Sequence, residues 1–312
     1  SNMVGWDRWV RAPQTLWVRR AIFQIHLWTG IGISLYLLMI CVTGSLLVYR
    51  NELYQAFSPE PVIVAGAGES LTPELLTGFA ERIYPDYEVT NVRIGQTPNH
   101  AVEISLASDR EAIRRLFHPY TGEDLGDPLP LGYRVSAWTL DLHDNLLNGR
   151  TGRRINGLGA LFFIVLFGTG VVIWWPGIRS WRRSLTLDLR ANWKRLNWNI
   201  HSVLGFWFMP FILIWGVSGV YLSYPEIFQG AVDYFEPFDP SNPVDRVGDR
   251  ILYWLAYLHF GRLGGRGIPF CDRGLCNETT KAVWAIVAFV PPALLVTGVV
   301  MWWNRVLRRS PE

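Results

Sequence analysis

Four of the six histidines stand at repeating positions. His26 lies in the stretch IHLWTG (25–30), and His201 lies in IHSVLG (200–205), 175 residues on. His143 lies in WTLDLHDNLLNGR (138–150), and His259 lies in WLAYLHFGRLGGR (254–266), 116 residues on. Imidazole is a common metal ligand, and haem iron most often takes its axial ligands from histidine. Two histidines facing each other across an axis are the donor set of a six-coordinate haem. A histidine inside an apolar helix can instead hydrogen-bond between helices. Four at symmetric positions, accompanied by small residues, favour ligation, and an ionisable residue in a membrane span is a functional candidate by default. A bare zinc or iron(II) site usually needs a third or fourth protein ligand. The four motifs share no cysteine or carboxylate that would supply one.

Gly30 and Gly205 follow His26 and His201 by four positions, which makes them neighbours on a helix surface. A missing side chain there leaves room for a flat porphyrin. Gly44 and Gly219 follow the same histidines by 18 positions, or five turns. They return to the same helix face about 27 Å away, where a second haem would sit between His143 and His259. Arg150 and Arg266 each stand seven residues after one of that second pair, and Arg153, Arg154 and Arg262 are close in sequence. Arginine pairs well with carboxylates such as haem propionates, the role expected of Arg150 and Arg266. The same basic patch attracts an anionic iron chelate, the role expected of Arg153, Arg154 and Arg262. Interfacial arginines can also meet lipid headgroups.

The elements that must position these residues are apolar. Half of the 312 residues are apolar and 16 are Trp, a profile of a membrane protein with a soluble portion. Four uncharged runs, 21–48, 155–177, 198–224 and 282–303, are long enough to cross a bilayer as helices. Pro210 and Pro291-Pro292 predict kinks rather than breaks in the last two. The first run is too long for a cleaved signal peptide, and no cleavage site follows Gly44 and Ser45. Basic residues crowd the tail 1–20, the loop 178–197 and the tail 304–312, which places all three on the cytoplasmic side. Segments 49–154 and 225–281 then face outward; long loops translocate largely regardless of charge.

The spans repeat as well. TGVVIWW (169–175) returns as TGVVMWW (297–303), and the TG at 43–44 returns as SG at 218–219. Two copies of a two-helix unit in the same orientation imply a pseudo-twofold axis along the membrane normal. The fold class expected is an all-α membrane protein, its four transmembrane helices forming a 2+2 repeat bundle, with a small α+β insertion outside. The pseudo-twofold sets His26 opposite His201 and His143 opposite His259. Trp174-Trp175 and Trp302-Trp303 read as an aromatic belt rather than an electron relay.

Residues 71–126 read as a small soluble module. TPELLTGFAERI has Thr72 as N-cap and proline at the first helical position. Strand-like stretches follow near 87–94, 100–107 and 113–118, ending in HPYTGEDLG. His100 and His118 have no counterpart in the repeat and read as solvated or structural. Cys271 and Cys276, in CDRGLC, suit a disulfide in an oxidising compartment or a redox-active thiol pair. Cys41 reads as a packing residue.

Taken together, IHLWTG…TG, LHDNLL…TGVVIWWPG, IHSVLG…SG and RRLFHPYTGEDLG resemble the PepSY-associated transmembrane family over about residues 20–304. Its members include bacterial inner-membrane reductases for ferric siderophores. The resemblance implies b-type haems with His26, His143, His201 and His259 as iron ligands, and electron delivery to an iron chelate in the periplasm. The expected protein is thus a multi-pass inner-membrane reductase with two bis-histidine b haems and both termini cytoplasmic. Electrons enter at the His26/His201 end and leave at the His143/His259 end. No G-x-G-x-x-G fingerprint follows a strand and no flavin domain is present, so the donor is external, a quinol or a cytoplasmic flavin reductase. The alternatives are a haem protein serving a periplasmic protein partner, and a non-redox transporter or PepSY-type regulator. No nucleic-acid partner is expected.

Overall fold

The computed structural model describes residues 9–66, 68–108, 111–238, 246–262 and 275–307, with backbone alone at 275–277 and 307. It divides into two compact units, one formed by the chain up to Tyr49 and from Trp138 onward, the other by Arg50–Ala137. In chain order the elements are α1 (Trp17–Gly32), α2 (Ser34–Leu47), α3 (Arg50–Ala56), α4 (Pro73–Ile83), β1 (Glu88–Arg93), β2 (Val102–Ala107), β3 (Ala112–Phe117) and β4 (Asp124–Gly126). Then come α5 (Leu131–Asn145), α6 (Gly149–Trp174), α7 (Trp193–Trp207), α8 (Met209–Ser223), α9 (Pro225–Phe235), α10 (Val247–His259), α11 (Leu275–Val287) and α12 (Val290–Trp302).

Two helices are long and apolar enough to cross a membrane, Gly149–Trp174 and Glu278–Val306, the second combining most of α11 with α12. The first and third apolar runs depart from the expectation of continuous spans. Each is a pair of helices, α1 with α2 and α7 with α8, bent by 63° at a single break. Counting each bent pair as one span gives four. The breaks fall at Ile33 (φ −107°, ψ 8°) and Phe208 (φ −98°, ψ 5°), repeat partners at the 175-residue offset. Their dihedrals leave the helical well for the bridge region in the same way. At the second break Pro210 removes a backbone donor. At the first there is no proline; Gly32 precedes the break, and the Ser34 hydroxyl donates to the Ile31 carbonyl at 2.9 Å. The kink expected at Pro291-Pro292 marks the start of α12.

Small residues let the helices approach closely. A Cβ on Gly216 of α8 would lie 2.8 Å from Ile164 of α6, and one on Gly159 of α6 would run into the Tyr36 ring of α2. Polar side chains tie the helices through backbone carbonyls: Ser45 Oγ donates to Ala285 O at 2.9 Å, and Asn197 Nδ2 donates to Thr297 O at 3.0 Å. Large apolar side chains such as Leu35 (78% exposed) and Ile286 (72%) point outward, the surface a bilayer would cover.

The small unit is an antiparallel sheet in the order β1-β2-β3-β4 with one helix against it. Alternation on β2 buries Val102, Ile104 and Leu106. Leu76 and Ala80 of α4 and Phe117 of β3 complete that core. Thr72 Oγ1 caps α4 by accepting from the Leu75 N–H at 3.4 Å, as the sequence predicts. His118 is structural: its Nδ1 accepts from the backbone N–H groups of Tyr120 and Thr121, each at 3.3 Å.

Candidate functional site

The four repeated histidines come together as two pairs. His26 on α1 faces His201 on α7 with ring centres 6.3 Å apart and planes at 87°. His143 near the end of α5 faces His259 at the end of α10, also at 6.3 Å, with planes at 57°. Two imidazoles bonded trans to one metal at about 2 Å each have ring centres about 6 Å apart. Both pairs are held at that spacing. Among the described residues no group of three or more His, Cys, Asp or Glu is placed to hold a bare metal ion. A two-histidine donor set suits iron that already has four equatorial ligands from a porphyrin.

Each ring is also held in one tautomer. His26 Nδ1 meets Thr169 Oγ1 at 2.9 Å, and His201 Nδ1 meets Thr297 Oγ1 at 2.8 Å. His143 Nδ1 meets Thr43 Oγ1 at 3.0 Å, and His259 Nδ1 meets Ser218 Oγ at 2.7 Å. All four hydroxyls donate their single proton to a carbonyl one turn back: Thr169 to Val165, Thr297 to Ala293, Thr43 to Met39 and Ser218 to Ile214. The hydroxyl oxygen is therefore the acceptor, and Nδ1 carries the hydrogen. For His143 the Ile40 carbonyl, 3.0 Å from Nδ1, requires the same tautomer. In each ring the lone pair is left on Nε2, the arrangement that outer hydrogen bonds impose on ligating histidines. Outside the spans, burial pushes His259 down to about 3, with His143 as a lesser cause. Burial likewise holds His143 below its ordinary value. Both rings are neutral near pH 7, the ligating form.

Thr43, Thr169, Ser218 and Thr297 are residues that sequence reasoning missed. The signal was present as four TG or SG dipeptides, of which only two glycines, Gly44 and Gly219, drew a site role. The glycines divide by role. At the His26/His201 pair a cavity of about 380 Å³ is lined by Gly30, Gly170, Gly205 and Gly298 among apolar side chains. A Cβ on Gly30 would meet Leu166 Cδ2 at 3.7 Å, and one on Gly205 would meet Leu294 Cδ2 at 3.9 Å, ordinary contacts with flexible side-chain ends, so a methyl fits at either position. Gly44 and Gly219 do something else. A Cβ on Gly44 would sit 2.9 Å from His143 Cε1, so this glycine seats the His143 ring itself. A Cβ on Gly219 would sit 3.0 Å from Ala160 Cβ, so this glycine lets α8 close on α6.

The arginines separate in a way their spacing did not reveal. Helix α6 begins at Gly149, so Arg150, Arg153 and Arg154 occupy its first two turns. Arg153 is ion-paired to Asp144, and Arg154 to Glu226. Arg154 also lies over the Tyr224 ring at 4.8 Å. Arg150 is exposed. Arg262 follows His259 in a turn closed by its own N–H on Tyr257 O at 2.9 Å. Arg266, Cys271 and the Cys276 side chain lie outside the described residues, as does the cysteine pairing; Cys41 is free and half-buried.

Fold and site together define a helical membrane protein whose repeat-related helices carry two paired histidine sites. The chain belongs to the PepSY-associated transmembrane family: the family model described as PepSY-associated TM region matches residues 23–246 and 236–305. No curated protein matches the chain.

Proposed function

We propose that this protein is a bacterial inner-membrane reductase holding two b-type haems, one between His26 and His201 and one between His143 and His259. In this reading it delivers electrons to a ferric siderophore or similar iron chelate in the periplasm. The observation that carries it is the matched geometry of the two pairs: 6.3 Å between ring centres in both, with Nδ1 of every ring bound to a hydroxyl. Haem, when bound, supplies one-electron chemistry at its iron. The chain's own residues orient the ligands, fix their tautomer and surround them with apolar side chains that exclude water. His26 with His201, and His143 with His259, would each hold a haem from both sides, and the substrate iron would be reduced without bonding to the haem iron. Each ferric chelate gains one electron and becomes the iron(II) form, which siderophores hold weakly, and a two-electron quinol donor would serve two chelates. The bent pairs count as single spans in this reading. The chain then forms a 2+2 bundle of four spans, its arginine-rich tails and central loop on the cytoplasmic side.

A second reading sends the electrons to a periplasmic protein. It is favoured by Arg153 and Arg154, which are engaged with Asp144 and Glu226 rather than offered to an anion. The first test is the visible spectrum of the purified protein with and without dithionite. Sharp b-type bands in the reduced form are expected, and their absence ends the redox reading. The reduced protein is then mixed anaerobically with a ferric siderophore. Reoxidation with stoichiometric iron(II) release supports the reductase; a reduced spectrum that persists favours the protein acceptor.

A further inference from the structure

The cavity beside His26 and His201 has a polar end that the histidines do not explain. Four buried side-chain polar atoms lack a hydrogen-bond partner among the described residues: Trp174 Nε1, Trp302 Nε1, Ser202 Oγ and Arg19 Nε. Trp174, Trp302 and Ser202 all line this cavity. The Arg19 guanidinium binds the carbonyl of Ile173, the residue before Trp174. An unpartnered buried donor loses its hydrogen bonds to water and gains none in return, so native chains rarely keep several together without an acceptor to meet them.

The two indoles are placed by the repeat. Trp174 stands one turn beyond Gly170, whose Cβ position is 3.3 Å from the His26 ring. Trp302 stands one turn beyond Gly298, whose Cβ position is 3.5 Å from the His201 ring. Each helix therefore presents, in order, a threonine for the ligand's Nδ1, a glycine against the ligand's ring and an indole past it. The second tryptophan of each pair behaves differently. Trp175 Nε1 donates to the Trp9 carbonyl at 3.2 Å, and Trp303 is exposed. The aromatic-belt reading therefore holds at most for the second member. Just past Trp302 the helix widens into a π-turn, Trp303–Leu307, which brings Arg305 onto the cavity wall with its guanidinium carbon 4.6 Å from the centre of the Phe23 ring. Such widened turns recur at functional sites. Arg305 has no carboxylate partner among the described residues.

We propose that this end of the cavity is a carboxylate-binding edge, in which the Trp174 and Trp302 indole N–H groups and the Arg305 guanidinium receive the two propionates of a haem held between His26 and His201. The proposal deepens the haem reading and rests on it. Indole N–H is a donor only and guanidinium cannot lose its charge, so the edge selects an anionic acceptor at any physiological pH. It also fixes which way round the porphyrin enters. Its propionates lie at the Trp174/Trp302 end, and its apolar edge lies toward Leu37 and Ile212 beyond the helix bends.

The test compares iron protoporphyrin IX with its dimethyl ester, which keeps the ring and loses both carboxylates. Full-length protein produced without haem is titrated in detergent with each compound, and binding is read from the reduced bis-histidine absorption bands. Wild type is expected to prefer the free acid at least tenfold. Trp174→Phe with Trp302→Phe removes both N–H groups and keeps both rings; the preference should fall roughly tenfold, and Arg305→Gln should lower it further. Trp303→Phe should leave it unchanged. Retained uptake of the dimethyl ester by the Phe variants shows that they still fold. An unchanged preference in the double variant, or equal binding of both compounds by wild type, overturns the carboxylate edge and leaves the haem reading standing. Uptake of neither compound by wild type overturns both.

Discussion

The His26/His201 and His143/His259 sites have the same ring spacing but are built in different ways. The first pair sits inside helices α1 and α7, one turn before Gly30 and Gly205, and opens on a cavity of about 380 Å³. The second pair sits at the ends of α5 and α10, and Gly44 is filled by the His143 ring rather than left open. The first site also lies against both helix bends: Ile31 and Leu37 flank one, Phe206 and Met209 the other, and all four line the cavity. The second is anchored from the far halves of the same bent runs, by Thr43 on α2 and Ser218 on α8. Each bent run thus serves both sites, giving a histidine to one and a hydroxyl to the other. The difference teaches that the repeat preserves the hydroxyl's hold on each histidine ring while the space around the ring is local.

The largest expected effect tests whether the sites are separate. His201→Ala should lower the haem content from about two per chain to about one, since an imidazole ligand has no substitute nearby. His26→Ala should remove the same haem, and His143→Ala or His259→Ala the other. The measurement is a haem-to-protein ratio with a redox titration identifying the survivor. If His26→Ala and His201→Ala spare different haems, the pairing is wrong and the comparison collapses.

Next come the hydroxyls. Ser218→Ala leaves His259 Nδ1–H without its acceptor, whereas Thr43→Val leaves His143 Nδ1 the Ile40 carbonyl at 3.0 Å. Losing such an outer partner typically costs about 10- to 100-fold in affinity. Ser218→Ala should reach that range and Thr43→Val should fall below it, as read by haem titration of each variant. Equal losses would mean that the carbonyl contributes nothing and that the hydroxyl alone holds each ring.

These hydroxyls also show what the sequence made legible. The spacing I-H-x-x-x-G is local, so the repeated histidines His26 and His201, which the structure sets face to face, could be picked out from residues 25–30 and 200–205. Strands β1 to β3 and the Thr72 cap were equally local. The Thr169 contact to His26 joins residues 143 positions apart, and no window of sequence contains both. The TG dipeptide was visible there, but its reason was not. Pro210 announced the bend at Phe208, whereas the bend at Ile33 was hidden for a related cause: a glycine beside it permits a break, and only packing decides whether it occurs. The partners of the arginine patch were not visible in the spacing either, because Asp144 and Glu226, which engage Arg153 and Arg154, belong to different elements from each other.

A third prediction separates open from filled glycines without any haem. Gly30→Ala meets only the flexible end of Leu166 at 3.7 Å and gains helix propensity, so the haem-free protein should be stabilised by about 0.5–1 kcal/mol. Gly44→Ala drives a methyl against His143 at 2.9 Å, so it should destabilise by about 1–3 kcal/mol. Thermal melting of the two haem-free variants in one detergent gives opposite signs if the sites differ as described. A shift of the same sign for both would erase the distinction.

The smallest effect concerns how each copy leaves its second-site histidine. After His143 the chain turns through Leu146 (φ 51°) and Leu147 (φ 59°), two side-chain-bearing residues in the left-handed region. After His259 it turns through Gly261 (φ 67°), where that conformation is free of the Cβ clash. The left-handed region costs roughly 1–2 kcal/mol for an ordinary residue and less for asparagine, whose short amide bonds locally. Leu147 is half-exposed, so replacing it forfeits only part of its apolar burial. Leu147→Asn should therefore stabilise the haem-free protein by a few tenths of a kcal/mol, and Leu147→Gly by slightly more. A Tm rise of a degree or two for both, with the His143 site's haem affinity unchanged, identifies the strain as a cost of the turn alone. A rise in Tm together with weaker haem binding at His143 means that the leucine turn holds the histidine in place, a task that the second copy gives to a glycine turn.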